Sequence, residues 1–170
     1  YNTEVGQEAP VEQVIWEKAM EYCRKLTERE RLAGRVPEGY AYTLPTEAQW
    51  AYACRAGTTG AYAGELDAMG GYNMNSGITA SPVGHKRANA WGLYDMHGNV
   101  WEWCLDWWGD YPVGNVTDPD GPNSGTLRVR RGGGWFNTVN DVRSANRSKL
   151  SPDEPRSDLG FRVALAPSSR

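Results

Sequence analysis

The sequence predicts a loop-rich α+β fold in a single domain spanning residues 1–170. Three observations predict it. Two stretches in the first third carry apolar residues at helical spacing, and a later stretch from Val100 alternates like a strand. The chain also has 20 glycines, 8 tryptophans and 9 tyrosines against 2 phenylalanines, which describes long loops pinned by large aromatic rings. A chain of 170 residues can bury roughly 70% of its unfolded surface, so a core without covalent staples is expected.

The elements follow in order. Residues 1–10 (YNTEVGQEAP) are polar and read as an arm. Val14, Ile15 and Trp16 lead into a helix from about Glu17 to Arg31, with Trp16, Ala19, Met20, Cys23 and Leu26 as its apolar stripe. Leu32–Tyr42, with Gly34, Pro37 and Gly39, reads as a loop. A second helix starts at Thr46, which forms a capping box with Gln49; Trp50, Ala53 and Cys54 are its buried face and Gly57 its stop. Residues 58–89 are rich in Gly, Ala and Asn and read as long loops, a length of irregular chain that points to function or to a bound ligand. From Val100 a strand directs Trp101, Trp103, Leu105 and Trp107 to one face and Val100, Glu102, Cys104 and Asp106 to the other. Residues 109–127 are a turn-rich loop, Leu127–Arg131 is a short strand, and Asp141–Arg147 and Leu159–Leu165 are the last strand candidates.

Charge is uneven. Residues 1–127 carry a balance of −8 and residues 128–170 a balance of +5, with 14 arginines against 4 lysines in the chain. The basic tail reads either as an anion-binding surface or as guanidinium groups that pair with the acidic first part. The arginines are spread over separate short elements rather than gathered in a run, which favours internal forked pairs, so no nucleic-acid partner is expected. No apolar run approaches the ~20 residues of a membrane helix. The three cysteines, Cys23, Cys54 and Cys104, cannot all pair, and with His85 and His97 they fit no zinc spacing. There is no G-x-S-x-G elbow and no P-loop. Asp106 with Asp110, or Asp95 with Glu102, would make an acid pair, but a metal or arginine partner accounts for them better, and no catalytic residue is assigned.

Four segments together resemble the formylglycine-generating enzyme (sulfatase-modifying factor) family: LPTEAQWAYACRAG (44–57), NAWGLYDMHGNVWEWCLDWW (89–108), RVRRGGGW (128–135) and RSANRSKLSPDEPRSDLGFRVA (143–164). The approach VEQVIWEKAMEYCRKL (11–26) matches too. The resemblance implies a C-type-lectin-like α+β fold with two helices and small twisted antiparallel sheets. Members begin earlier than Tyr1, so the N-terminal part of the usual domain is expected to be missing, leaving an edge near Phe161–Leu165 exposed.

In oxidase members two cysteines a few residues after the RGGxW motif bind copper and oxidise a substrate cysteine. Here that stretch reads FNTVNDVRSANRS, with no cysteine beyond Cys104, so neither copper nor this chemistry is expected. The family's disulfide partners fall at Val163, Ser144 and Val142, which implies three free, buried thiols and a reducing, cytoplasmic compartment. The family's calcium motif matches at Asp95, Gly98, Val100 and Glu102. The resemblance therefore implies Ca²⁺ held by two carboxylates and two backbone carbonyls, with an arginine partner for Glu102 as the alternative.

Residues 135–158 alternate framework with positions of no periodicity. In variable proteins of diversity-generating retroelements built on this fold, the diversified segment is this one. The segment reads either as such a display surface or as tolerant loop positions in an ordinary family paralogue; the reading taken is a non-catalytic module that binds a protein or peptide through Trp135, Phe136, Asn137, Val139, Asp141, Asn146, Ser148, Lys149, Leu150 and Asp158. Arg143, Arg147 and Arg162 are expected to be buried and bonded beneath them, and Trp135 packed. Two other readings stand beside it: an oxidase-family enzyme completed by another segment, and a sensory domain fused to a kinase.

Overall fold

The computed structural model describes residues 8–168, so most of the polar arm read over residues 1–10 lies outside the described residues. Helix α1 runs over Trp16–Leu32 and α2 over Glu47–Arg55. The capping box of α2 forms as expected: the Thr46 hydroxyl accepts from the Gln49 N–H, and the Gln49 side chain accepts from the Thr46 N–H. The helix ends through Ala56, which takes a left-handed φ of 46° one residue before Gly57. A third, one-turn helix, α3 (Leu66–Met69), stands inside the stretch read as loops.

Six strands follow two sheets: β1 (Tyr40–Thr43), β2 (Trp101–Trp107), β3 (Arg128–Arg131), β4 (Ser148–Leu150), β5 (Leu159–Gly160) and β6 (Ala164–Pro167). β1 pairs antiparallel with β6, and the second sheet has the order β4-β3-β2-β5. Three expectations are corrected here. β1 lies in the stretch read as a loop. It becomes a strand because β6 pairs along one edge and the Thr27 hydroxyl of α1 meets Tyr42 on the other. The candidate Asp141–Arg147 is a set of turns, because Asp141 caps Thr138 and Arg143 bonds Asn140, and local side-chain bonds compete with a ladder. The candidate Leu159–Leu165 divides between β5 and β6 in different sheets, and β5 pairs parallel to β2, so the sheets are not purely antiparallel.

The alternation of β2 is borne out, with both faces buried. Trp101 and Trp103 enter a core with Ala19, Cys23, Leu44 and Leu159, whereas Cys104 enters a second core with Trp50, Cys54, Met96 and Val129. The indoles pin loops through their N–H groups: Trp16 donates to the Cys104 carbonyl, Trp103 to that of Val14, and Trp101 to the Asn137 side chain. Arg128 lies between the Trp16 and Trp107 rings, 3.6 and 3.4 Å from their centroids, and so fastens the start of α1 to the β2–β3 pair.

Three arginines of the basic tail pair internally, as the scatter of arginines implied. Arg147 forks onto Glu47 with Nε–Oε1 and Nη2–Oε2 at 2.7 and 2.6 Å. Arg131 reaches the same carboxylate at 3.4 Å, and Arg162 forks onto Glu102. Each joins the C-terminal third to an acid of the first part.

Candidate ligand-binding site

Three loops meet around residues 134–141. The Val139 carbonyl accepts from the Tyr62 hydroxyl at 2.8 Å, and the Asn137 carbonyl accepts from the Asn73 N–H at 3.0 Å. The Ala61 carbonyl accepts from the Ser144 N–H at 2.8 Å. His97 straps two of the loops from below: Nδ1 bonds the Val142 carbonyl at 2.9 Å and Nε2 accepts from the Ala63 N–H at 3.0 Å. This pairing assigns the proton to Nδ1. Burial holds His97 below the ordinary histidine range, which keeps the neutral tautomer the strap requires.

Within residues 132–146 some positions hold shape. Gly133 has φ +77°, and a Cβ there would stand 2.6 Å from a Val142 methyl, so only glycine fits without displacement. Trp135 donates its backbone N–H to Asn99, and the Asn137 side-chain oxygen accepts from the Gly134 N–H and the Trp101 indole. The Asp141 carboxylate accepts from the Thr138 N–H and hydroxyl, and the Asn146 amide donates to the Asp141 carbonyl. Between these positions Phe136 and Val139 are 44% and 39% exposed, and Met74 stands exposed beside Asn73. The result is a bonded frame that carries an apolar surface.

A family model described as the sulfatase-modifying factor enzyme 1-like domain matches residues 2–167. The chain belongs to the sulfatase-modifying factor family. It is 35% identical over 177 residues to the formylglycine-generating enzyme of Streptomyces coelicolor, covering 91% of this chain and 52% of that protein. It thus spans about half the length of that curated relative. It is 40% identical over 128 residues to the serine/threonine-protein kinase pkn1 of Chlamydia caviae, covering 71% of this chain and 20% of the kinase. In structure it is similar to Treponema denticola variable protein 1, with a TM-score of 0.86, 30% identity, and coverage of 98% of this chain and 74% of that one. The α+β fold is therefore the one this family and the variable protein share.

Against that family frame, the expected binding set divides. Phe136 and Val139 are exposed on the platform, and Lys149 is exposed on β4 with its ammonium 4.8 Å over the Trp108 ring. Trp135 is half-buried with its ring edge-on to Phe136. Asn137, Asp141 and Asn146, also half-buried, are spent on the frame. Ser148 accepts from Arg130, Leu150 packs against the first core, and Asp158 is 1% exposed with Arg156 on its carboxylate. Those positions hold shape, because each side chain already has a partner. Arg147 and Arg162 are largely covered and bonded as expected. Arg143 is exposed, a correction: its Nε donates to the nearby Asn140 carbonyl, which turns the guanidinium along the surface. Tyr62, Asn73 and Met74 were missed, because their loops carry no periodicity and only tertiary pairing brings them here.

The calcium motif does not close as a cation cage. Glu102 is 6% exposed; Oε2 accepts from Arg162 Nε and Trp50 Nε1 at 2.5 and 2.6 Å, and Oε1 from Arg162 Nη2 at 2.6 Å. Asp95 accepts from the Gly84 N–H, and burial pushes its carboxyl up. Gly98 donates its N–H to the Gly132 carbonyl and faces Gly71 in a β-bridge, while Val100 is buried. With a guanidinium holding both Glu102 oxygens, the four residues in this arrangement do not fit Ca²⁺. Among the described residues no group of three or more His, Cys, Asp or Glu stands ready for a metal.

Cys23, Cys54 and Cys104 are free and buried, as the resemblance implied. Burial pushes Cys23 and Cys54 up to about 11 and Cys104 well above the ordinary thiol range. Cys54 sits 3.8 Å from His97 Nε2, but a fully covered protonated thiol beside a fully bonded imidazole is no nucleophile. A cavity of about 70 Å³ lies below residues 109–122, lined by Glu47, Asp106, Asp110, Tyr111 and Arg147 among others. Asp106 there accepts from the Glu47 N–H at 2.7 Å; burial pushes its carboxyl up to about 6, that N–H partly offsets the shift, and the charges of Glu47 and Asp120 add to it.

Proposed function

We propose that the chain is a non-catalytic ligand-binding module that presents the platform of residues 134–141, flanked by Tyr62 and Met74, to a protein or peptide. The observation that carries this reading is the division of labour within one loop: Gly133, Asn137 and Asp141 hold the backbone, while Phe136 and Val139 are exposed and belong to neither core, Phe136 keeping one edge-on contact with the Trp135 ring. Side chains free of both burial and bonding can change without loss of the fold. The similarity to a variable protein supports extending the proposal to retroelement display, with diversification confined to such positions. Formylglycine chemistry would need two thiolates on this platform. Residues 136–141 contain no cysteine, and the thiols elsewhere are buried and protonated.

The test replaces Phe136, Thr138, Val139 and Asn140 together by serine. Stability is expected to fall by less than about 0.5 kcal/mol per position, while binding of a ligand selected on the wild-type chain is lost. A loss of several kcal/mol, or retained binding, would overturn the proposal.

A further inference from the structure

The platform has a charge as well as a shape. The charged side chains of its loops and their bases include Arg55, Glu65, Asp67, Asp141, Arg143 and Arg147; Asp67 accepts from the Tyr72 hydroxyl. Asp141 is spent on Thr138, and Arg147 turns inward to Glu47. Arg143 gives only its Nε to the protein, at 2.9 Å from the Asn140 carbonyl, one residue from Val139. Arg55, the last residue of α2, gives Nη1 to the Gly60 carbonyl at 3.1 Å, two residues from Tyr62. Among the described residues neither Arg55 nor Arg143 has a carboxylate within ion-pair distance, whereas Arg131, Arg147, Arg156 and Arg162 each meet an acid and Arg128 and Arg130 lie against indole rings. Two cations therefore stand on the loops that carry the exposed Phe136 and Val139 and, through Tyr62, join them. The bond from Arg143 Nε to a backbone carbonyl fixes the plane of the guanidinium and leaves its Nη edge for a forked acceptor.

We infer that the partner carries an acidic side chain beside apolar residues, the carboxylate taken by Arg143 with Arg55 adding to the field, and the apolar residues by Phe136 and Val139. This rests on the platform being the binding surface. A cation at the rim of an apolar contact mainly sets specificity, encounter rate and salt dependence, and the apolar centre holds the complex.

The experiment pans a phage-displayed random dodecapeptide library on the full chain. Selected peptides are then measured against wild type, Arg143→Gln, Arg143→Lys, Arg55→Gln and Phe136→Ser, each checked for an unchanged melting temperature. The expected result is a consensus with Asp or Glu next to two apolar residues. Arg143→Gln should weaken binding about tenfold or more, Arg143→Lys should restore part of it, and the wild-type affinity should fall with added salt. Peptides lost on Phe136→Ser but carrying no acidic residue and indifferent to Arg143→Gln would overturn this inference and leave the platform standing. Peptides that bind Phe136→Ser as well as wild type, or a library that yields no binder, would overturn both.

Discussion

Replacing Asp106 by asparagine separates a buried charge from the fold around it. Asp106 is 5% exposed, below the Gly121 turn and beside the first turn of α2, where its Oδ2 accepts from the Glu47 N–H. Burial raises its carboxyl from 3.8 to about 6, with Glu47 and Asp120 adding repulsion. A folded-state value above the unfolded one means that the unfolded chain ionises first. The stabilising contribution is complete below the unfolded value and is lost as pH rises through the folded one. A rise of about two units corresponds to about 3 kcal/mol. Asparagine keeps the oxygen that the Glu47 N–H needs and cannot ionise. The two proteins should therefore be similarly stable near pH 4, and the Asp106→Asn variant should gain on wild type by about 2–3 kcal/mol by about pH 8, most of it between about pH 4 and pH 6. Urea unfolding of both across this range gives a difference curve in which other titrating groups cancel. A flat curve, or one in which wild type gains as pH rises, would refute the reasoning: it would mean that the carboxylate is already ionised and held by the end of α2.

Three further outcomes follow from the same geometry. Arg162→Ala strands the covered Glu102 carboxylate and should cost about 3 kcal/mol in chemical unfolding; Glu102→Gln in the same chain should recover part of it, and additive losses would contradict the pairing. Melting in Ca²⁺ and in chelator should coincide, because Arg162 holds the oxygens that the ion would need; a calcium-dependent rise abolished by Glu102→Ala would show that the ion displaces the arginine. Ellman's reagent should find no fast-reacting thiol in the native chain and three after denaturation; a prompt native reaction would place one of Cys23, Cys54 and Cys104 at the surface.

Much of the scaffold was legible because it is written in short-range patterns. The capping box at Thr46 and Gln49, the stripe of α1 and the two faces of β2 each depend on residues a few positions apart, and all appear where they were read. Free, buried thiols and internally paired arginines were also foreseen. What was misread depends on distant partners. β1 is a strand only because β6 and Thr27 flank it, and the chain at Leu159–Leu165 divides between two sheets that share no local signal.

The site shows the same boundary more sharply. The residues after the RGGGW stretch are the binding segment that the sequence proposes, yet most of the set named there bonds or packs within the fold. Sequence cannot tell an asparagine that faces a partner from one that, like Asn137, caps Gly134 and receives the Trp101 indole from 36 residues away. Glu102 reads from sequence as a calcium ligand, with a guanidinium as the alternative; in the fold Arg162, 60 residues on, lies against both oxygens. The sequence by itself determined the two long helices, the central strand, the absence of cysteine from residues 136–141 and the family. The tertiary structure alone decided which polar groups are already satisfied. Hydrogen-bond partnership is a property of positions in space, and in this chain the partners that matter are supplied from segments far apart in sequence.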